Sequence, residues 1–262
     1  MVLKEESMAK KKRKLTKFGR ILSDILIVAC LGIAGFSGWN LYKELHEYKV
    51  SEQTYTELLP KVTVKDEETQ ETTGYDWDSL REMNADIAGW IKMDDSTIDY
   101  PFVKGQDNEY YLHHLFNGEY NNSGCVFIDV NNNSDFSDKN TVMYAHNMRN
   151  GTMFAAIEQF KNASYYDTHK EIHIYTPNQN YVVYPVAGML SNGQDDYVRT
   201  SFSDDNDFMN YVSRFVQNST FTSEVSIEAT DKIVMLSTCN YDTYDGRYVL
   251  IGKLVPEETN AE

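Results

Sequence analysis

The first strong pattern along the chain is an apolar run, ILSDILIVACLGIAGFSGW, over residues 21–39. Its length is close to the roughly 20 residues that a helix needs to cross a bilayer, so it predicts one transmembrane helix. Residues 40–74 are polar and acidic and end in VKDEETQETTG, which reads as a juxtamembrane helix running into a flexible spacer. DWDSLREMNADIAGW, residues 76–90, then reads as a helix. Asp76 or Asp78 is placed to cap it, and Trp77, Leu80, Met83 and Ile87 recur at helical spacing.

Beyond residue 90 the pattern changes to short apolar or aromatic runs: WIKM, CVFID, TVMYAH, EIHIYT, YVVYPVAGML, KIVMLSTC and RYVLIGKLV. Clusters of Asn, Asp, Gly and Ser such as DVNNNSDFSDKN separate them, which is the pattern of a β-sandwich or barrel. Two stretches depart from it. TMFAAIEQF (152–160) predicts a short helix, and SDDNDFMNYVSRFVQ (203–217) a longer one with Phe208, Tyr211, Val212 and Phe215 on one face. Closing a barrel does not require the second helix, so it is expected to decorate a rim, where clefts form.

Charge gives the apolar run an orientation. The first 20 residues carry eight Lys or Arg against two acids, leaving 16 basic and 38 acidic side chains in the remainder. Basic residues stay on the cytoplasmic side, so the chain after about residue 40 is expected outside the membrane. Asp24 would cost about 3 kcal/mol at mid-membrane, but its place in the first turn puts it near the headgroups. A cleaved signal is disfavoured because the apolar run continues to Trp39 with no small-x-small site followed by polar sequence. Cleavage before Cys30, as in a lipoprotein, would leave a second apolar stretch at the new N-terminus. The acidic remainder excludes nucleic acid as a natural partner. The expected division is a cytoplasmic basic tail (1–20), a signal anchor (21–39), a juxtamembrane helix and linker (40–74) and an extracytoplasmic domain (75–262).

Outside the membrane cysteines usually pair, and only Cys125 and Cys239 lie there. A Cys125–Cys239 disulfide in a membrane-anchored binding or assembly module is the bland reading. The sharper one starts from where Cys239 falls. It ends KIVMLSTC, and RYVLIGKLV follows after the seven residues NYDTYDG. Paired as an antiparallel hairpin, these strands set Cys239 and Arg247 almost opposite each other.

A free thiol is mostly protonated at neutral pH, and a nearby cation or imidazolium raises the thiolate fraction. Arginine adds a fixed fork of donors able to hold a carbonyl as it becomes an oxyanion. Among the six histidines, His146 stands out because it ends the strand-like TVMYAH and opens the loop NMRNG. His46 falls in the juxtamembrane helix, and His113 and His114 in the aromatic EYYLHHLF. His169 and His173 would suit a metal on a helix, but strand spacing separates them by about 13 Å. No metal and no cofactor is predicted. Asp242 and Asp245 read as turn formers. Cys, His and Arg at the ends of three strands compose an acyl-transfer site with a thiolate nucleophile, an imidazole general acid and a guanidinium clamp.

Leu236-Ser237-Thr238-Cys239, with Arg247 eight residues on and Tyr144-Ala145-His146 some ninety residues earlier, resembles the sortases, cysteine transpeptidases of Gram-positive cell surfaces. Their pattern at the nucleophile is T-L-x-T-C, and Met235 stands here at its first position. The resemblance covers roughly residues 75–256. The segment IAGWIKMDDSTIDYPFVKGQDNEYYLHHLFNGEYNNSGCVFID and the helix at 203–217 are similar to class B members.

The resemblance implies a mainly β fold, an eight-stranded sortase-type barrel with an N-terminal helix and a helix inserted between the sixth and seventh strands. It implies Cys239, His146 and Arg247 in one groove, with Ser237, Thr238, Tyr241 and Asn147 as substrate-binding candidates. The implied reaction cleaves a C-terminal Pro-x-Thr-type sorting signal of a surface protein through a thioacyl enzyme. A peptidoglycan or lipid-linked precursor amine then resolves the thioester. Two other groups of wall cysteine enzymes fit less well: in one the Cys precedes the His, and in the L,D-transpeptidases the Cys sits in a His-Gly-Cys-x-Arg run.

Overall fold

The computed structural model describes residues 16–65 and 72–258. The basic cluster from Lys4 to Lys14 and the acidic residues 66–71 of the spacer lie outside the described residues. The chain divides into two units, Met1–His46 and Glu47–Glu262.

In the first unit, residues 17–46 form most of the long helix α1 (Lys17–Val62). Its apolar side chains, among them Ile25, Leu31, Ile33 and Phe36, are exposed. Its most apolar window has a mean hydropathy of 2.0 and is 0% buried, which makes it a candidate membrane span. Trp39 and Tyr42 close the apolar run, the residue types that sit at a membrane–water interface.

The second unit begins with the end of α1. There Ser51, Tyr55, Leu58 and Val62, spaced as one stripe of a helix, are buried. Tyr55, Leu58 and Val62 belong to the same core as the barrel side chains Trp90, Phe102 and Phe127. The compact unit therefore starts well before residue 75. A two-stranded antiparallel ribbon, β1 (Thr63–Lys65) and β2 (Thr72–Tyr75), follows within the stretch expected to be spacer.

The helix α2 (Trp77–Met83) is capped by Asp76, whose carboxylate accepts from the Ser79 amide at 3.1 Å. It is shorter than the 76–90 expected. Asn84 ends it in an extended conformation and turns the chain by accepting from the Asp86 amide. Ile87 then opens the strand β3 (Ile87–Lys92) instead of a further helical turn. Gly89 marks the change, because a Cβ there would lie 2.3 Å from the Phe102 ring and 2.4 Å from the Tyr175 carbonyl.

The barrel continues with β4 (Asp99–Val103), β5 (Val126–Ile128), β6 (Asn140–Tyr144), β7 (Ile172–Tyr175), β8 (Tyr181–Asn192), β9 (Lys232–Asn240) and β10 (Gly246–Pro256). It closes in the order β10-β8-β7-β3-β4-β5-β6-β9. All neighbours are antiparallel except β4–β5 and β6–β9. Seven of the eight strands follow the apolar runs of the sequence. The eighth, β4, contains Pro101, which lacks a ladder donor and hides the strand from pattern reading.

Short helices α3 (Ala155–Glu158) and α4 (Ala163–Thr168) follow β6, with a 3-10 turn between them. The helix α5 (Asp205–Gln217) lies between the sixth and seventh barrel strands, as expected. Asp204 caps it by accepting from the Asp207 amide at 2.8 Å. Phe208, Tyr211, Val212 and Phe215 are buried. They join a second core made of Ile233 and Met235 from β9, Val249 and Ile251 from β10 and Val142 from β6. The alternate residues of the same strands, Val234, Leu236, Tyr248 and Leu250, enter the main core. One face of β6, β9 and β10 is thus sealed by α5 over its lower part.

Candidate active site

Strand parity decides what lies above α5. On β9 the face carrying Ile233 and Met235 continues to Ser237 and Cys239. On β10 the face carrying Ile251 and Val249 continues to Arg247, which is paired directly with Cys239. On β6, Val142 pairs with Met235 and Tyr144 with Ser237, where the ladder ends, and His146 two residues beyond lines the same cavity as Cys239. Cys239 and Arg247 are therefore neighbours across one strand spacing of about 4.8 Å, and His146 comes to them from the loop just past β6.

The cavity, of about 360 Å³, is lined by Cys239, His146 and Arg247 together with Ser237, Thr238, Leu112, Asn108, Phe127, Tyr144, Ala145 and Tyr197. A cavity of about 470 Å³ lies beside α5 and residues 219–227, and none of the expected site residues lines it.

The His146 Nε2 lies 2.9 Å from the Leu112 carbonyl oxygen. A carbonyl can only accept, so Nε2 carries a proton and Nδ1 is left to exchange one. Burial holds the His146 pKa below the ordinary imidazole value; the Leu112 hydrogen bond opposes this, while His113 and Arg247 add to the lowering. The His113 ring lies 6.4 Å from that of His146. Arg247 is braced by Asp245, with 2.9 Å between a terminal nitrogen and the carboxylate, and donates to the Gly246 carbonyl at 3.0 Å. Asp245 itself sits at a positive φ of 52°.

Thr238 and Ser237 are buried. The Thr238 hydroxyl donates to the Ala145 carbonyl at 2.9 Å, and the Ser237 and Tyr197 hydroxyls share a hydrogen bond of 3.2 Å. Asn147 and Tyr241 are not among the residues that line the cavity. The Asn147 amide donates to the Cys239 carbonyl at 2.9 Å, and the Tyr241 hydroxyl donates to the Asn147 carbonyl at 2.6 Å.

Cys125 and Cys239 are both free, so the disulfide reading is wrong. Cys125 is buried against the Pro101 carbonyl, and burial pushes its thiol up to about 12. His169 ends α4 and only His173 lies on a strand.

Several site residues escaped the sequence reading. Leu112 contributes only a backbone oxygen, and Asn108 and Tyr197 come from irregular segments. Asp245 and Asp242, read as turn formers, are ion-pair partners of Arg247 and Lys161. Only the two-residue separation of Asp245 from Arg247 was a visible signal.

Comparison with known proteins gives a consistent result. The family model for the sortase domain matches residues 91–255. Sortase B of Listeria monocytogenes is 36% identical over 244 residues, covering 91% of this chain and 99% of its own length. Among solved structures, Clostridium perfringens sortase B is 35% identical with a TM-score of 0.65, covering 68% of this chain and 99% of that one. A Staphylococcus aureus sortase B–substrate complex is 30% identical with a TM-score of 0.67, covering 70% of this chain and 86% of that one.

Proposed function

Because the chain belongs to the class B sortases, and is therefore a cysteine transpeptidase, we propose that Cys239 is its nucleophile, His146 its general acid and base, and Arg247 its oxyanion clamp. The observation that carries this assignment is that the three side chains line one cavity, with Cys239 and Arg247 paired across β9 and β10 and His146 just past the end of β6.

The reaction runs in two halves. Nδ1 of His146 takes the thiol proton, and the sulfur of Cys239 attacks the carbonyl carbon of a Thr residue in a Pro-x-Thr-type sorting signal. The carbonyl oxygen gains negative charge and is met by Arg247, whose orientation Asp245 fixes. Collapse of the adduct breaks the peptide bond, and the imidazolium gives its proton to the leaving amine. The thioester that remains is attacked by a peptidoglycan or lipid-linked precursor amine, which loses its proton to His146 and releases the thiolate. No cofactor enters this sequence of steps. Burial holds the His146 imidazole below its ordinary pKa and so favours the neutral ring that accepts the thiol proton.

The anchor supports a surface location. With the basic tail in the cytoplasm, the apolar helix at 21–39 crosses the membrane and the barrel faces the wall, where the sorting signals and acceptor amines of surface-protein anchoring are found. Ser237 and Thr238 line the cavity where the peptide would lie. Asn147 and Tyr241 are tied to the same site by hydrogen bonds, Asn147 to the Cys239 carbonyl and Tyr241 to the Asn147 carbonyl.

A peptide library screened against the detergent-solubilised full-length chain tests the substrate class. Cleavage and amine transfer are expected only for peptides carrying a Pro-x-Thr signal, and both disappear in Cys239→Ala. Equal cleavage of peptides without that signal would reject the proposed specificity.

A further inference from the structure

The two sides of the Cys239 site are held in different ways. Arg247 is fixed to Cys239 by the β9–β10 ladder, which continues past both residues to Asn240 and Gly246. The β6–β9 ladder ends at Tyr144 and Ser237, with one longer bond from the Ala145 amide to the Ser237 carbonyl at 3.4 Å. His146 lies beyond that point, so its distance from Cys239 depends on side chains.

Glu158, the last residue of α3, stands where those side chains meet. One carboxylate oxygen accepts from the Asn147 side-chain amide, and the other accepts from the Asn240 side-chain amide at 2.6 Å. Asn147 directly follows His146, and Asn240 directly follows Cys239. The Glu158 side chain is 13% exposed, and its charge is met by Lys161 at 3.1 Å, which also pairs with Asp242 at 3.2 Å. The Phe154 amide donates to the His146 carbonyl at 2.9 Å, so the start of α3 is tied to the same loop that its end braces.

We propose that Glu158 is a positioning residue for transpeptidation, a carboxylate that holds the residue after His146 and the residue after Cys239 and so fixes the Asn147 amide that also donates to the Cys239 carbonyl. The proposal rests on the assignment of His146 and Cys239 above. A carboxylate suits the role because it has two acceptor oxygens and no donor, so both amides are held at once. A glutamine keeps one acceptor and turns an N–H₂ group toward an amide that also donates. Arg247 is held instead by Asp245, the Gly246 carbonyl and the β9–β10 ladder, so loss of the bridge should affect steps that need His146 and leave the Arg247 contribution intact.

The test uses the full-length chain in detergent. The rate of alkylation of Cys239 by iodoacetamide is followed against pH by mass spectrometry of the Cys239 peptide, beside kcat and KM for peptide transfer. Glu158→Gln is expected to lower kcat about 10- to 100-fold, since a misplacement of about 1 Å at the reacting groups can cost on the order of 100-fold, with KM within about 2-fold. It is also expected to move the pH midpoint of alkylation, and to have no further effect on alkylation when His146→Ala is already present. If Glu158→Gln does not fold, Asn240→Ala removes the arm on the Cys239 side, together with the Asn240 hydrogen bonds to Asp242, and is judged by the same criteria.

An unchanged alkylation profile and kcat in a folded variant would overturn the proposal, and so would an effect that persists in the His146→Ala background. The two claims separate. A wild-type profile in His146→Ala itself would defeat the His146 assignment, whereas a His146 effect without a Glu158 effect defeats the positioning role alone.

Discussion

Arg247 and His146 flank the same thiol but owe their places to different partners, and the difference sets what each substitution should do. Arg247 presents a planar fork held by Asp245, and a lysine cannot both reach that carboxylate and offer two parallel donors to an oxyanion. Arg247→Lys is expected to lower kcat/KM about 100-fold while alkylation of Cys239 stays near the wild-type rate. Normal turnover would remove the oxyanion role. His146 is the residue whose titration reports on burial. Its native pKa is held below the unfolded value of about 6.5, so the fold opposes protonation. The stability this contributes is present above about pH 6.5 and is lost as pH falls through the native midpoint. An NMR titration should find that midpoint below 6.5, and a midpoint above it would contradict the burial argument. Cys239, Arg247 and His146 were legible because each ends or begins an apolar run. Leu112 was not, because it acts through its carbonyl, an atom every residue has. Glu158 was also hidden, since its partners Asn147 and Asn240 lie 11 and 82 positions away.

At the scale of elements, the site depends on α5 as much as on the barrel. The helix seals the lower part of the face whose upper part carries Ser237, Cys239 and Arg247, so its aromatic side chains hold the β9–β10 hairpin from below. Phe208 and Phe215 are 0% exposed. Phe215→Ala should cost about 3–5 kcal/mol, measured by chemical denaturation, and lower activity along with stability. A loss below 1 kcal/mol would show that α5 does not hold this face. This helix was readable because Phe208, Tyr211, Val212 and Phe215 keep one helical period. The helix at 77–83 was read too long because Ile87 continues that period by chance, while Asn84 and Gly89 carried the opposing signal. The strand β4 was missed for the converse reason. Pro101 argues against a strand, yet its carbonyl receives the Cys125 thiol and its neighbours complete the ladder to β3.

For the whole molecule, the second unit runs from Glu47 to Glu262, and the end of α1 contributes Tyr55, Leu58 and Val62 to the barrel core. The Tyr55 hydroxyl also donates to the Gly124 carbonyl at 3.0 Å, next to buried Cys125. A fragment beginning at residue 75 should therefore unfold at a lower denaturant concentration than one beginning at residue 47, by a difference of several kcal/mol for the buried side chains it lacks. Equal midpoints would make the end of α1 dispensable to the core. The polar composition of residues 40–74 hid this, because a single buried stripe at 51, 55, 58 and 62 is diluted by exposed Glu, Lys and Gln around it. The central claim, that Cys239 takes the acyl group, is tested most directly by acid-quenching the full-length chain during turnover of a sorting peptide and mapping the covalent adduct by mass spectrometry. A thioester on Cys239 is expected, discharged by an added amine and absent in Cys239→Ala. An adduct on another residue, or transfer that continues in Cys239→Ala, would contradict it.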